Sequence, residues 1–257
     1  MKLFYREYGQ GKPLIILHGL LGLADNWVTF ARRISPHGIH CFIPDQRNHG
    51  HSPHHSVMNY YALTDDIAEF IYDHNLEQPC IMGHSMGGKV AMRYTLENPE
   101  KVNRLVVVDT SLRTYVNFEY HRNLIDSMLS INFESVRSRA EVQKILSSGI
   151  KDKRLVLFLL KNLFWKGKNK LGWRLNLNAI SENLEDMYDG VFFSTRFEFP
   201  SLFVRGGGSN YILEQDLPEI YNHFTDARVE TIDKSSHWVH ADAPDEFFNL
   251  VKDFLTK

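Results

Sequence analysis

Cysteine is scarce in this sequence. Cys41 and Cys80 are the only two among 257 residues, and each lies in or beside an apolar run, "CFIPD" and "PCIM". A fold stapled by disulfides is excluded, and two residues so far apart make no zinc pattern. Two buried free thiols are the expectation. An excess of one charge is also lacking. Lys and Arg total 29 against 31 for Asp and Glu, a net charge of −2, which favours neither nucleic acid nor an anionic membrane as partner. Long apolar runs are missing too. The most apolar window, "LVLFLL" at 155–160, is bracketed by Arg154 and Lys161. It falls far short of the roughly 20 residues that span a bilayer. The opening "MKLFYREYGQGK" contains no apolar run of the signal-peptide kind, so the cytoplasm is the expected location. What the sequence does have is 43% hydrophobic and 23% charged residues, a composition suited to a soluble domain with a substantial core.

The first half alternates strand and helix signals. "LIILHG", "HCFIPD", "PCIMGHS" and "NRLVVVD" are apolar runs of the length and composition of strands buried on both faces. Between them, "NWVTFARRI", "NYYALTDDIAEFIYDH" and "MGGKVAMRYTLEN" carry helical spacing. This repetition implies a mostly parallel sheet flanked by helices. From about 113 to 196 the alternation stops. Helical periodicity dominates there, and "KDKRLVLFLLKNLFWK" is apolar nearly all round. The economical reading is one α/β domain over 1–257 with an all-helical cap inserted at about 113–196. Alternation resumes with "PSLFVRGG", a helix near 213–224, "ARVETID" and a last helix, "APDEFFNLVKDFL".

Chemistry concentrates at strand ends. Gly83-His84-Ser85-Met86-Gly87 forms a G-x-S-x-G pattern between a strand and a helix, the context in which a sharp turn lifts a serine hydroxyl clear of a sheet. Ser85 is therefore the candidate nucleophile. "LHGLLG" follows the first buried strand, and its His18-Gly19 resembles a turn that holds an oxyanion-binding loop. The inferred donors are the backbone N–H groups of Leu20 and Met86, with His18 a buried histidine holding the loop. The serine needs a base. In "VETIDKSSHWVHADAP", His237 lies just past the last strand in the chain order expected for this arrangement. His240 more simply seats that loop, with Asp242 as a helix cap.

The base needs a carboxylate, and the usual turn after "PSLFVRG" offers Ser209 and Asn210 instead of an acid. Asp109, ending "NRLVVVD", would emerge from the strand next to that of Ser85 and could reach the same imidazole, with Ser209 as a possible auxiliary partner. The competing reading of Asp109 is a cap for the turn "DTSL". Asp45, Glu214 and Asp216 are the lesser rivals. The histidines of "HGHSPHHS" match no common zinc pattern and read as solvated loop residues, with His49 facing the site edge. No cofactor or metal is expected.

"LHGLLG…DNW", "DQRNHGHS", "MNY", "GHSMGGKVAM", "VVVDTS", "RGGGSNYI" and "HWVHAD" run in order along nearly the whole chain. Together they resemble the α/β-hydrolase family, and more narrowly its small YbfF-type acyl esterases and their mitochondrial relatives. The resemblance implies the α/β-hydrolase fold and a serine hydrolase that cleaves acyl esters or acyl-CoA thioesters through an acyl-enzyme, without cofactor. That branch also lacks the usual acid and places an Asp where Asp109 lies. Ser236 stands where a glycine usually precedes the histidine, and Leu112 where a proline is usual. The expected partner is a small-molecule ester or thioester, with no nucleic acid and no membrane span; the oligomeric state is left open. A triad-bearing C–C hydrolase or lyase, and a ligand-binding receptor with an idle triad, stay as alternatives.

Overall fold

The computed structural model describes residues 1–167 and 170–257. Seven strands form the main sheet, in the order β1-β3-β2-β4-β5-β8-β9. They are β1 (Tyr5–Tyr8), β2 (Lys12–Leu17), β3 (Ile39–Pro44), β4 (Cys80–His84), β5 (Arg104–Val108), β8 (Ser201–Gly206) and β9 (Ala227–Ile232). Only β1 is antiparallel. This edge strand lies in the opening segment, whose alternation is too short and polar to announce it.

Each apolar run is buried on both faces, as its composition requires. Leu14 and Ile16 pack with Trp27, Phe30 and Phe247 on one side, while Ile15 and Leu17 pack with Leu63, Ile67 and Val90 on the other. Successive side chains of a strand point to opposite faces, so one run serves two helical layers. The first layer holds α1 (Val28–Ile34) and α10 (Pro244–Thr256), and the second holds α2 (Tyr60–Asp73) and α3 (Met86–Glu97). Asn59 starts α2 by accepting the Ala62 N–H at 2.9 Å, which satisfies one of the N–H groups left over at a helix start. Cys41 and Cys80 are free and buried.

Between β5 and β8 the chain runs through α4 (Glu119–Leu129), α5 (Arg139–Gly149), α6 (Lys153–Leu160), β6 (Leu163–Trp165), β7 (Leu171–Trp173) and α7 (Leu177–Glu182). The segment is therefore not all helical. β6 and β7 pair antiparallel, and the apolar stretch read as one helix divides at Lys161 and Asn162. The division has a physical cause. The Arg139 guanidinium donates to the carbonyls of Leu160 and Leu163, each at 2.9 Å, and so satisfies carbonyls that a helix end leaves open. Asn162 turns inward and donates to the Leu21 carbonyl at 2.8 Å. Two short segments complete the chain: α8 (Leu217–His223) and α9 (Val239–Asp242).

Candidate active site

The ladders bring three strand ends to one edge. Leu17 pairs with Gly83, His84 with Val108, and Val108 with Val204. Ser85 is the single residue between β4 and α3. Its N–H donates to the Val108 carbonyl at 3.0 Å, and its own carbonyl accepts the Gly88 N–H at 2.9 Å. Its φ of 53° is a conformation that side-chain-bearing residues seldom adopt. The turn closes because glycines flank it. A Cβ on Gly83 would stand 2.1 Å from the Gly87 carbonyl oxygen, and one on Gly87 would stand 2.4 Å from that of Leu17.

Asp109 follows β5 with a φ of 49° and is fully buried. Its Oδ1 accepts the Gly206 N–H at 2.9 Å. Its Oδ2 accepts His237 Nδ1–H at 2.7 Å and the Ser209 hydroxyl. None of these partners lies in the turn "DTSL", so the carboxylate does not cap it. Asn210, at the usual acid position, is exposed, and its carbonyl accepts from Arg113 at 2.6 Å. The rival acids are engaged elsewhere. Glu214 pairs with Arg205, Asp216 pairs with Arg113, and Asp45 accepts from the backbone of Ala24 and His51.

His237 is seated by its neighbours. Tyr211 stacks on its ring at 3.9 Å and 20°, and its carbonyl accepts His84 Nε2–H at 2.9 Å. Ser236 explains its own departure from glycine: its N–H and hydroxyl both bind Asp242, at 2.8 and 2.5 Å, and pin the histidine loop. Asp242 thus closes this loop; the residue that starts α10 is Ala243, so Asp242 is not its cap. Leu112, in place of proline, is buried and offers its carbonyl to the Val191 N–H at 2.7 Å. His240 stacks on Trp27 at 4.3 Å and 24°.

Ser85 and His237 line a common pocket of about 30 Å³ with His18, Leu20 and His84. No hydrogen bond joins the Ser85 hydroxyl to the His237 ring among the described residues. Such contacts often tighten only with substrate seated. The N–H groups of Leu20 and Met86 donate to no protein acceptor among the described residues. Leu20 and Met86 share a second small pocket with Ser85. The loop carrying Leu20 is held by two histidines. His18 donates Nδ1–H to Gly19 at 2.9 Å and accepts the Gln46 N–H at 3.0 Å. His49 donates to the Arg47 carbonyl at 2.8 Å and accepts the Leu21 N–H at 3.2 Å. Both bonding patterns require neutral rings, and burial pushes His18 down to about 4 and His49 to about 3. His49 is therefore a core residue, whereas His51, His54 and His55 are exposed. Among the described residues, no group of three His, Cys, Asp or Glu side chains could hold a metal ion.

A larger cleft of about 600 Å³ opens from His237 toward the inserted segment, with Leu124, Leu155, Phe158, Tyr188 and Trp238 among its walls. One side chain of the elbow helix ties down both ends of that insertion. The Lys89 ammonium, buried, donates to the Arg113 carbonyl at 2.7 Å and to the Asp189 carbonyl. Its position in "HSMGGK" was visible in the sequence, but its partners lie far along the chain.

An elbow serine between strand and helix, on a seven-stranded sheet of this order, defines a class. Residues 12–244 match the family model described as the alpha/beta hydrolase fold, and the chain belongs to the α/β-hydrolase family. It is 37% identical over 250 residues to the sn-1-specific diacylglycerol lipase ABHD11 of Xenopus laevis, covering 95% of this chain and 80% of that protein. It is 30% identical over 247 residues to esterase YbfF of Escherichia coli strain K12, covering 95% and 92%. The solved structure of a marine microorganism esterase superposes with a TM-score of 0.95 at 37% identity, over 98% and 99% of the two chains. Within the family, these likenesses place the chain in the esterase branch.

Proposed function

We propose that this protein is a serine hydrolase that cleaves carboxylic esters or acyl thioesters through an acyl-enzyme. The Ser85 hydroxyl attacks the acyl carbonyl while His237 Nε2 takes its proton. The N–H groups of Leu20 and Met86 hold the oxyanion, and each such donor contributes roughly 3–4 kcal/mol. The C–O or C–S bond then breaks, and His237 returns the proton to the leaving group. Water, deprotonated by the same ring, releases the acid and regenerates Ser85. Asp109 keeps the His237 proton on Nδ1 and stabilises the imidazolium, with Ser209 as a second donor to the carboxylate.

The observation that carries this reading is the 2.7 Å bond from His237 Nδ1 to Asp109 Oδ2, beside a pocket shared by His237 and Ser85. The names of the related esterases and lipases support an ester substrate. The segment at about 113–196 acts as a cap on a single domain, and its apolar side chains hold the acyl chain. No helix among the described residues is long and apolar enough to cross a membrane, and the cytoplasm is the proposed location.

Replacing Ser85 with alanine tests the mechanism. Loss of about 10⁶ in kcat on a p-nitrophenyl ester is expected, and persistent turnover would end the serine reading. A fluorophosphonate probe should add its mass to Ser85 of the unmodified protein, whereas a receptor with an idle triad would not label. Turnover of diketones but not esters would favour a C–C hydrolase.

A further inference from the structure

The inserted segment adds a histidine of its own to the pocket that holds Ser85. His121 lies on α4, and its ring lines the 30 Å³ pocket beside Ser85 and His237. It also lines the second small pocket beside Ser85 and Met86, and the 600 Å³ cleft beside His237. Among the described residues, only Leu20 shares all three walls with it. His121 therefore stands where the reacting carbonyl and the open cleft meet.

The tautomer of the ring is coupled to its partner. His121 Nδ1 is hydrogen-bonded to the Tyr188 hydroxyl, which has no other partner among the described residues. A phenol can donate or accept; in the pairing in which Tyr188 donates, Nδ1 accepts. Burial lowers the ring to about 4, and it is neutral at pH 7. The remaining proton is then on Nε2, which binds no protein acceptor among the described residues. In that pairing the ring is a neutral N–H donor on the wall of the pocket that holds Ser85.

We propose that His121 is a substrate-contacting residue that donates Nε2–H to the alkoxy oxygen of the scissile ester, and so selects oxygen esters over thioesters. This rests on the serine mechanism proposed above. The carbonyl oxygen is taken by Leu20 and Met86, and the alkoxy oxygen is the remaining acceptor on an ester. As the C–O bond breaks, negative charge grows on that oxygen and strengthens the bond from Nε2. His237 still supplies the proton that the alcohol carries away, so His121 loses none. A thioester places sulfur at the same point, and sulfur is a weak acceptor.

The test compares ethyl butanoate with S-ethyl thiobutanoate. His121→Phe should lower kcat/KM for the oxygen ester by roughly 10- to 100-fold and leave the thioester within about threefold. His121→Gln, which keeps an N–H donor, should recover part of the loss. Tyr188→Phe, which frees the tautomer, should show a smaller loss with the same selectivity. Fluorophosphonate labelling of Ser85 should proceed in every variant. Equal losses on both substrates, or no loss on either, would overturn the proposal while labelling leaves the serine mechanism standing. Absence of labelling in the unmodified protein would overturn both.

Discussion

Ser85 and Asp109 stand on strand ends whose neighbours are hydrogen-bonded on both sides, whereas His121 reaches the same pocket from a helix outside the sheet. At the sheet edge, position is set by the backbone. The Ser85 N–H binds the carbonyl of Val108, and the Asp109 N–H binds that of Val204 at 2.8 Å. Over the cleft, side chains do more of the positioning: Lys89 on two carbonyls, Asn162 on Leu21, and the Tyr60 hydroxyl on Met187 at 2.8 Å, beside the backbone bond from the Asn176 N–H to the Asn48 carbonyl at 2.9 Å. The lesson is a division of labour. In the proposed mechanism the sheet carries the bond-breaking groups, and a separately fastened cover meets the substrate. Changes to the cover should therefore alter selection and local stability more than the intrinsic chemistry.

Removing the Asp109 carboxylate should have the largest effect. Asp109→Asn should lower kcat by about 10³–10⁴, read by steady-state ester hydrolysis, with Ser209→Ala costing roughly tenfold. Near-normal turnover of the Asn variant would move the acid elsewhere. Next in size is the elbow itself. Gly83→Ala forces a Cβ against the Gly87 carbonyl and should cost about 3 kcal/mol or more in urea unfolding. Gly149→Ala in the inserted segment, whose added Cβ meets nothing closer than 3.8 Å, should be neutral or stabilising by about 0.5 kcal/mol. Equal effects at the two glycines would erase the contrast.

Lys89→Met addresses the fastening. It leaves the carbonyls of Arg113 and Asp189 without their donor and should cost about 2 kcal/mol. Protease cleavage within 113–196 should speed up, with the sheet still protected; uniform cleavage along the chain would contradict separate fastening.

A further test concerns pH. His18 and His49 are held neutral, at about 4 and about 3, and burial likewise takes His240 to about 3 and His84 well below its ordinary value. In the unfolded chain these rings take up protons near pH 6.5. The folded values are depressed, so the stabilisation is present above pH 6.5 and is lost as pH falls toward 3–4. Each ring removes about 1.4 kcal/mol per pH unit within that window. His49→Gln should reduce the slope of unfolding free energy against pH by about one proton; an unchanged slope would mean His49 is not buried neutral.

Much of the sheet was legible because its signals are consecutive. Apolar runs, the elbow glycines and the Asp at the end of "NRLVVVD" each occupy a few adjacent residues. β1 escaped because it is short and polar at the edge. The hairpin of β6 and β7 escaped because its aromatic residues sit directly after an apolar helix, with the boundary enforced by Arg139 from 21 residues earlier. His49 reads as a loop residue facing the site edge, and not as a core residue, because nothing nearby shows that its ring accepts from Leu21, 28 residues away. His121 is one histidine among 13, with no motif around it. Its relevance depends on Tyr188, 67 residues on.

By itself the sequence determined the alternation of strand and helix, the elbow at Ser85, and the strand end that delivers Asp109. These follow from steric limits and burial acting over short stretches of chain. It took the tertiary structure to decide which imidazoles are buried neutral, that Asp109 accepts from His237 and Ser209 together, and that His121 shares a pocket with Ser85. Those outcomes depend on groups between 28 and 128 residues apart meeting in one desolvated place, and packing alone sets that distance.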